Sequence, residues 1–390
     1  MSIDDATLVG QRRRRLHQVM ADLGVDALLT ADPFSVRYAT GTRNMLVHGL
    51  TGPDRLALVI ADGPSTLWEF AGCEHLTAAA AHVDEHRLAP ALSAKKVVDP
   101  RADIVRFTGE VADLVCRTAG PGAVLAVDRI ESSVVEAFNA HPFRLADGVA
   151  VMQTAMMIKQ PAEMDAMRHA MAITEVAAAD MERAIQPGRS EQAVWAEFHR
   201  ALIEHGGELV VTRLLQAGPR TFPYFQEASA HLMDEGDLVC FDSDAVGAGG
   251  YSVDFSRTFL CGAGPASPKQ RHLHELAFEQ LQHNAANLEA GRSFESFAAA
   301  AFDVPEPYAR YGYYQLAHGL GLAGGHPNIP RTGDGPYPLP GRFEPGMVIC
   351  VESYVGDPDS GQGVKLENQF LIHDNTVETM STYPFSTALT

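Results

Sequence analysis

The sequence is poor in basic residues. Lys and Arg number 30 against 49 Asp and Glu, which gives a net charge of −19. Because recognition of nucleic-acid phosphates needs clustered basic side chains, this balance argues against a nucleic-acid partner. The one basic run, residues 12–15, falls in a segment with the apolar spacing of a helix, and we interpret it as the solvated face of that helix.

Cysteines and long apolar runs are scarce as well. The five cysteines are scattered and never stand at the spacing of a thiolate metal site, which suits a reducing compartment. No run of about eighteen apolar residues occurs, and the first residues lack the pattern of a signal peptide. We therefore expect a cytoplasmic protein that has no membrane partner.

The length of 390 residues exceeds the usual size of a single core, which predicts two domains. The first part alternates predicted helices and strands around a turn-rich stretch at residues 32–41. A long helix with Pro161 in its first turn then begins the second part. We predict an α/β domain over residues 1–155 and an α+β domain over residues 156–390, with an antiparallel sheet covered by helices.

Residues 241–257 contain three aspartates in two strand-like segments joined by a glycine-rich turn: Asp242, Asp244 and Asp254. The flanking residues read as buried strands. Ionised carboxylates that lie close together in a buried site repel, and a bound cation relieves that repulsion. Aspartate next to glycine is also ordinary turn chemistry, so this segment alone leaves a turn and a metal site equally open.

Three further positions favour the metal site. His318 lies in a glycine-rich segment, Glu352 follows an apolar run that begins at Met347, and Glu367 stands in the middle of a predicted strand. A buried glutamate is costly unless it is paired or bound to a metal. One imidazole with five carboxylates favours an oxygen-rich dinuclear site for iron, manganese, cobalt or zinc.

The order of these residues resembles the ligand set of the creatinase/methionine-aminopeptidase-like, or pita-bread, metalloenzyme superfamily. That set is Asp, Asp, His, Glu, Glu, and the matching positions are Asp242, Asp254, His318, Glu352 and Glu367. The resemblance implies an α+β fold, in which a smaller creatinase N-terminal-like α/β domain precedes a C-terminal pita-bread domain that binds the metals. It also implies a homodimer.

Within the superfamily, the chain resembles the dimethylsulfoniopropionate lyases through residues 212–215, 218–227, 254–257 and 383–389. This resemblance makes Asp244 a sixth ligand and implies two metal ions, for which iron is the first expectation. Peptidases of the superfamily carry one catalytic histidine upstream, where this chain has Pro223 and Tyr224. Their second histidine falls on Gly325, so ordinary Xaa-Pro hydrolysis loses its proton-handling groups.

The implied reaction is β-elimination on a small zwitterionic carboxylate such as dimethylsulfoniopropionate, which gives dimethyl sulfide and acrylate. The carboxylate base of the lyases falls on Gly324, and we predict His326 as its replacement, with Tyr313 as a second catalytic group. The predicted substrate-binding residues are Tyr314, Tyr224 and His48. His48 stands where the lyases carry a tryptophan suited to a cation–π contact, which points to a shifted substrate.

Two other functions stay open. One is metal-dependent hydrolysis of a C–N bond, as in an Xaa-Pro dipeptidase or a creatinase-like hydrolase of small amides. The other is a non-catalytic binding protein on the same fold. The six-ligand set weighs against the second, because buried acids without a role would only reduce stability.

The extra aspartate gives a first testable prediction. We expect about two transition-metal ions per chain, as dinuclear sites hold. Asp244→Ala should lower this number, because the substitution removes a ligand. Elemental analysis of the purified wild-type and variant proteins measures the change, and a variant with full metal content would contradict the six-ligand assignment.

Overall fold

The computed structural model describes residues 5–50, 52, 54–331 and 339–390. The chain divides into two compact units, one extending to Met156 and the other running from Met157 to Thr390.

The first unit is built on a six-stranded mixed sheet in the order β4-β3-β2-β1-β5-β6. The strands are β1 (Ala27–Thr30), β2 (Leu56–Ile60), β3 (Ser65–Glu69), β4 (Glu85–Leu88), β5 (Val124–Asp128) and β6 (Arg144–Asp147). The helices are α1 (Asp5–Leu23), α2 (Pro33–Thr40), α3 (Val47–Leu50), α4 (Arg101–Ala119), α5 (Ser132–Phe138) and α6 (Gly148–Met157). Apolar side chains of α4 and of the central strands share one buried core.

The stretch that was predicted to be turn-rich is a helix, so that prediction is wrong. Asp32 caps α2, since its carboxylate accepts hydrogen bonds from the backbone N–H groups of Phe34 and Ser35 at 3.0 and 2.9 Å. Pro33 occupies the first turn, and Gly41 ends the helix with a left-handed φ of 73°. These residues are common in turns, but their order here is that of a helix start and stop.

The basic run at residues 12–15 of α1 was predicted to be a solvated face of the helix, and this prediction is wrong. Arg12 is 1% exposed, and its guanidinium lies 5.7 Å from the ring centroid of Tyr38. Arg13 donates to Ser65 Oγ at 2.6 Å and to the backbone carbonyl of His82 at 2.7 Å. Two of the four arginines therefore hold α1 to its own unit.

The second unit contains three antiparallel sheets in the orders β14-β13-β15-β16-β17, β12-β9-β8 and β11-β10-β7. The first strands are β7 (Leu209–Val210), β8 (Leu215–Ala217), β9 (Leu238–Asp242), β10 (Ala245–Val246), β11 (Ser252–Val253) and β12 (Ser256–Leu260). The others are β13 (Gln315–Leu320), β14 (Gly324–Pro330), β15 (Val348–Asp357), β16 (Gln362–Ile372) and β17 (Val377–Thr379). The helices are α7 (Pro161–Arg183), α8 (Glu191–Glu204), α9 (Pro268–Ala286) and α10 (Phe294–Ala299).

Helix α9 covers the largest of these sheets. It begins with a capping box between Ser267 and Gln270, and it packs on β15 and β16. Ser353 of β15 donates from Oγ to the carbonyl of Ala277 at 2.8 Å, which fixes the helix against the strand. Among the helices in the described parts of the chain, none is long and apolar enough to cross a membrane.

Aromatic packing supports the strand that ends in the first predicted ligand. Phe198 of α8 meets Phe241 of β9 edge to face, with ring centroids 4.7 Å apart, and both side chains are buried. Phe241 directly precedes Asp242, so this buried contact holds in place the end of β9 that carries the Asp242 carboxylate.

Truncation of this aromatic contact tests its contribution. Phe198→Ala should lower the free energy of unfolding by about 3–5 kcal/mol, because it removes a buried ring and leaves a cavity. Phe198→Leu fills most of that space and should cost less. Urea unfolding measures both, and equal stability of the alanine variant and the wild type would contradict the prediction.

Candidate metal centre

Four strands and two connections between strands bring the six predicted ligands together. Asp242 ends β9, and Asp254 lies two residues before β12. His318 is in β13, opposite Cys350 of β15. Glu352 of β15 and Glu367 of β16 lie directly opposite each other in the ladder. The antiparallel pairing therefore converts positions far apart in sequence into one group of acids.

The turn between β9 and β10 directs Asp244 toward this group. Asp244 has a left-handed φ of 36°, and its Oδ2 accepts a hydrogen bond from Thr212 Oγ1 at 2.5 Å. Ser243 closes the turn from its other side, since its Oγ accepts from the N–H of Phe255 at 3.0 Å. Burial, followed by the negative charge of Asp242, raises the pKa of the Asp244 carboxyl to about 6.

Three carboxylates converge on His318. Its Nε2 lies 3.4 Å from Glu352 Oε1, 3.5 Å from Glu367 Oε1 and 3.7 Å from Asp254 Oδ2. Burial alone would lower the pKa of His318, but the hydrogen bonds to Glu352 and Glu367 outweigh it and raise the pKa to about 10. The acids thus favour positive charge at this nitrogen.

Lys365 is a member of the site that the sequence interpretation missed. Its fully buried Nζ lies 2.7 Å from Glu352 Oε2, 2.9 Å from Glu367 Oε2 and 3.2 Å from Asp242 Oδ2. Burial opposes the charge, yet these carboxylates raise the pKa of Lys365 well above its usual value. Because side chains two apart in a strand share a face, Lys365 was recognisable from its spacing to Glu367.

The charges inside the site do not balance. Five carboxylates face one lysine ammonium, which leaves four negative charges when His318 is neutral, and two divalent cations would match them. Two buried carboxylate oxygens of the site, Asp242 Oδ1 and Asp254 Oδ1, have no hydrogen-bond partner, and Glu367 Oε1 has only His318 Nε2, 3.5 Å away. Glu352 Oε2 also lacks a well-aligned hydrogen bond, although Lys365 Nζ stands 2.7 Å away as its ion-pair partner.

The donor geometry fits a metal. Ligand atoms of Asp254, His318, Cys350 and Glu367 lie within 4.8 Å of one another. Burial, followed by the charge of Glu367, raises the pKa of the Cys350 thiol well above its usual value. The carboxylates outnumber the other donors, so the residues present fit an oxygen-rich metal site.

A cavity of about 460 Å³ opens on this group of acids. One side is formed by predicted ligands, and the aromatic side chains of Phe225, Tyr313 and Tyr314 line it as well. Their ring centroids are 4.9 to 6.0 Å apart. Gly324 and Gly325 add backbone to the lining, so the cavity combines carboxylates with aromatic surface.

The other predicted catalytic and substrate-binding residues have different surroundings. Tyr224 is half-buried, and its hydroxyl donates to Asp242 Oδ2 at 2.7 Å. It lines a neighbouring aromatic cavity of about 220 Å³. The ring of His326 lies 5.5 Å from that of Phe294, and His326 is not among the described residues that line the larger cavity. In the first unit, His48 stacks on Phe70 with ring centroids 4.0 Å apart. The roles of these three residues stay predictions.

The sheets of the second unit and the acid-lined cavity within it are those of a metalloenzyme of the pita-bread type. The model of metallopeptidase family M24 matches residues 165–374, and the model of the creatinase/prolidase N-terminal domain matches residues 12–128. The chain belongs to metallopeptidase family M24. These matches confirm the superfamily resemblance and the predicted fold class.

Individual relatives include lyases and peptidases. The dimethylsulfoniopropionate lyase DddP of Roseovarius nubinhibens is 33% identical, over 97% of this chain and 86% of its own. The probable dipeptidase PepE of Mycobacterium tuberculosis is 25% identical, over 76% of this chain and 82% of its own. The prolidase structure from Pyrococcus horikoshii superposes with a TM-score of 0.77 at 19% identity, covering 96% of this chain and 99% of that one, which shows the shared fold.

Substitution of the buried lysine tests its part in the charge balance. Lys365→Met should lower the free energy of unfolding of the metal-free protein by about 3–5 kcal/mol, because it leaves buried carboxylates without their cation. Lys365→Arg retains the charge and should lose less. Urea unfolding after treatment with a chelator measures the difference, and equal losses in the two variants would contradict an electrostatic role.

Proposed function

We propose that this chain is a dinuclear-metal lyase that performs β-elimination on a small zwitterionic carboxylate such as dimethylsulfoniopropionate. The observation that carries the proposal is that His318, a predicted ligand, is the only imidazole among the described residues that line the cavity. Peptide hydrolysis needs a group that protonates the leaving amine. A sulfonium group leaves as neutral dimethyl sulfide and needs no such proton. The relative named as a dimethylsulfoniopropionate lyase supports the same reaction.

The six predicted ligands would hold the two metal ions, for which we propose iron, with manganese, cobalt and zinc as alternatives. When bound, the metal ions would polarise the substrate carboxylate and make the adjacent C–H group more acidic. Lys365 contacts one carboxylate oxygen each of Asp242, Glu352 and Glu367. In both glutamates this is Oε2, whereas Oε1 is the oxygen near the His318 imidazole. This arrangement supports a fixed donor set.

The aromatic lining supports a substrate with a positive end. Tyr313, Tyr314 and Phe225 face the cavity beside the acids, and aromatic faces attract sulfonium and quaternary ammonium groups. We propose that Tyr313 and Tyr314 contact this end of the substrate while Tyr224 orients Asp242. A carboxylate end at the acids and a positive end at the rings would suit a zwitterion.

A hydrolase is the second candidate, because the chain also resembles the probable dipeptidase PepE and shares the fold of prolidases. Cleavage of a dipeptide or a small amide would then replace elimination.

We further propose a homodimer, which the family resemblance supports. Light scattering should give twice the chain mass of 42.0 kDa.

Release of dimethyl sulfide tests the proposed function. Protein loaded with Fe(II), and in parallel with Mn(II), should release dimethyl sulfide and acrylate from dimethylsulfoniopropionate, and Asp254→Asn should lose at least about a hundredfold in rate, because it removes a ligand. Headspace gas chromatography measures the sulfide. A protein that releases no dimethyl sulfide but cleaves members of a dipeptide and small-amide panel is a hydrolase.

Unchanged turnover in His326→Ala would show that His326 is not the base.

A further inference from the structure

The proposed elimination needs a proton acceptor inside the cavity. The position of the lyase carboxylate is Gly324, which has no side chain, and the ring of His326 contacts Phe294. Glu227 lines the cavity and is the one carboxylate of its described lining that stands outside the predicted ligand set. Tyr313 and Tyr314 also line it, but a phenol with an ordinary pKa of about 10 is protonated at neutral pH and accepts a proton poorly.

The sheet fixes where Glu227 stands relative to the acids. Leu214 forms an antiparallel bridge with Glu227, and its carbonyl accepts a hydrogen bond from the N–H of Asp242 at 3.0 Å. The three residues are therefore side by side across neighbouring strands, and all three line the cavity. Two strand spacings of about 4.8 Å put the backbone of Glu227 about 10 Å from that of Asp242, with Leu214 between them and all three at the wall of the same cavity.

Local contacts hold the glutamate without burying it. Arg213 Nη2 lies 2.6 Å from Glu227 Oε2, and Arg220 Nη2 donates to the backbone carbonyl of Glu227 at 2.8 Å. The Glu227 side chain is 58% exposed. An exposed ion pair of this kind contributes at most about 1 kcal/mol, and the exposed carboxylate is open to solvent, to which an acquired proton can pass.

We propose that Glu227 is the catalytic base of the elimination; this inference rests on the proposed function. The Glu227 carboxylate takes the proton from the carbon next to the substrate carboxylate. The electron pair of that C–H bond forms the new C=C bond, and the C–S bond breaks with its electron pair on sulfur. Neutral dimethyl sulfide and acrylate leave, and Glu227 returns its proton to water.

Replacement of the carboxylate by an amide tests the role. Glu227→Gln keeps the size of the side chain but accepts no proton, so the rate of dimethyl sulfide release should fall at least about a hundredfold, the usual contribution of a general base. Metal content and the thermal midpoint should stay at wild-type values. The matched control is Glu197→Gln, which removes another partly exposed glutamate paired with an arginine, Arg200, at 2.9 Å and should leave the rate unchanged.

Chemical rescue separates a base from a structural residue. Glu227→Ala opens space for a small acid, and added formate should restore part of its lost rate while leaving the Glu197→Gln rate unaltered. Wild-type activity in Glu227→Gln would contradict the role of Glu227 as the base and would leave the proposed function standing. A loss that formate does not restore and that accompanies lost metal also overturns it. A wild-type protein that releases no dimethyl sulfide overturns the proposed function and this role with it.

Discussion

Repulsion among buried carboxylates is the constraint on which the second unit depends. Glu352 and Glu367 face each other across one ladder, while Asp242 approaches them from the end of β9 and Asp254 from the connection between β11 and β12. Like charges placed opposite each other destabilise a sheet, and burial makes each uncompensated charge more costly. The ammonium of Lys365 compensates on one side of the group, and the oxygens without partners remain on the other. The cavity lies where the compensation is incomplete.

The order of the acids and the histidine was sufficient to identify the superfamily and its fold class, because the combined order is specific although each position alone is not. The structure brings these residues together, and their role as metal ligands stays a prediction. Lys365 was missed although it stands two residues before Glu367, because the interpretation followed the acids and not the face that they share with other charges. The interpretation of residues 12–15 of α1 as a solvated face was wrong because successive residues of a helix turn by about 100°, so four in a row cannot share one face.

The residues around the substrate cavity were harder to predict, since counting along the chain assumes a regular strand. The pairing of β13 with β14 shifts between His318 and Gly319, where Asn328 and then Gly325 are the partners. Through this irregularity, Asn328 lines the cavity while the ring of His326 meets Phe294. Glu227 escaped notice because it belongs to a short bridge and not to a strand, so no periodicity marked it.

Glu352 and Glu367 lie directly opposite each other, so a metal ion bound by this pair would tie the lifetime of the folded chain to the supply of metal. A cation that binds the native state and not the unfolded chain stabilises it by mass action. The two longest strands of the second unit, β15 and β16, are joined across this pair. In a cell short of metal, the same residues would weaken that sheet at its centre and expose more chains to proteolysis.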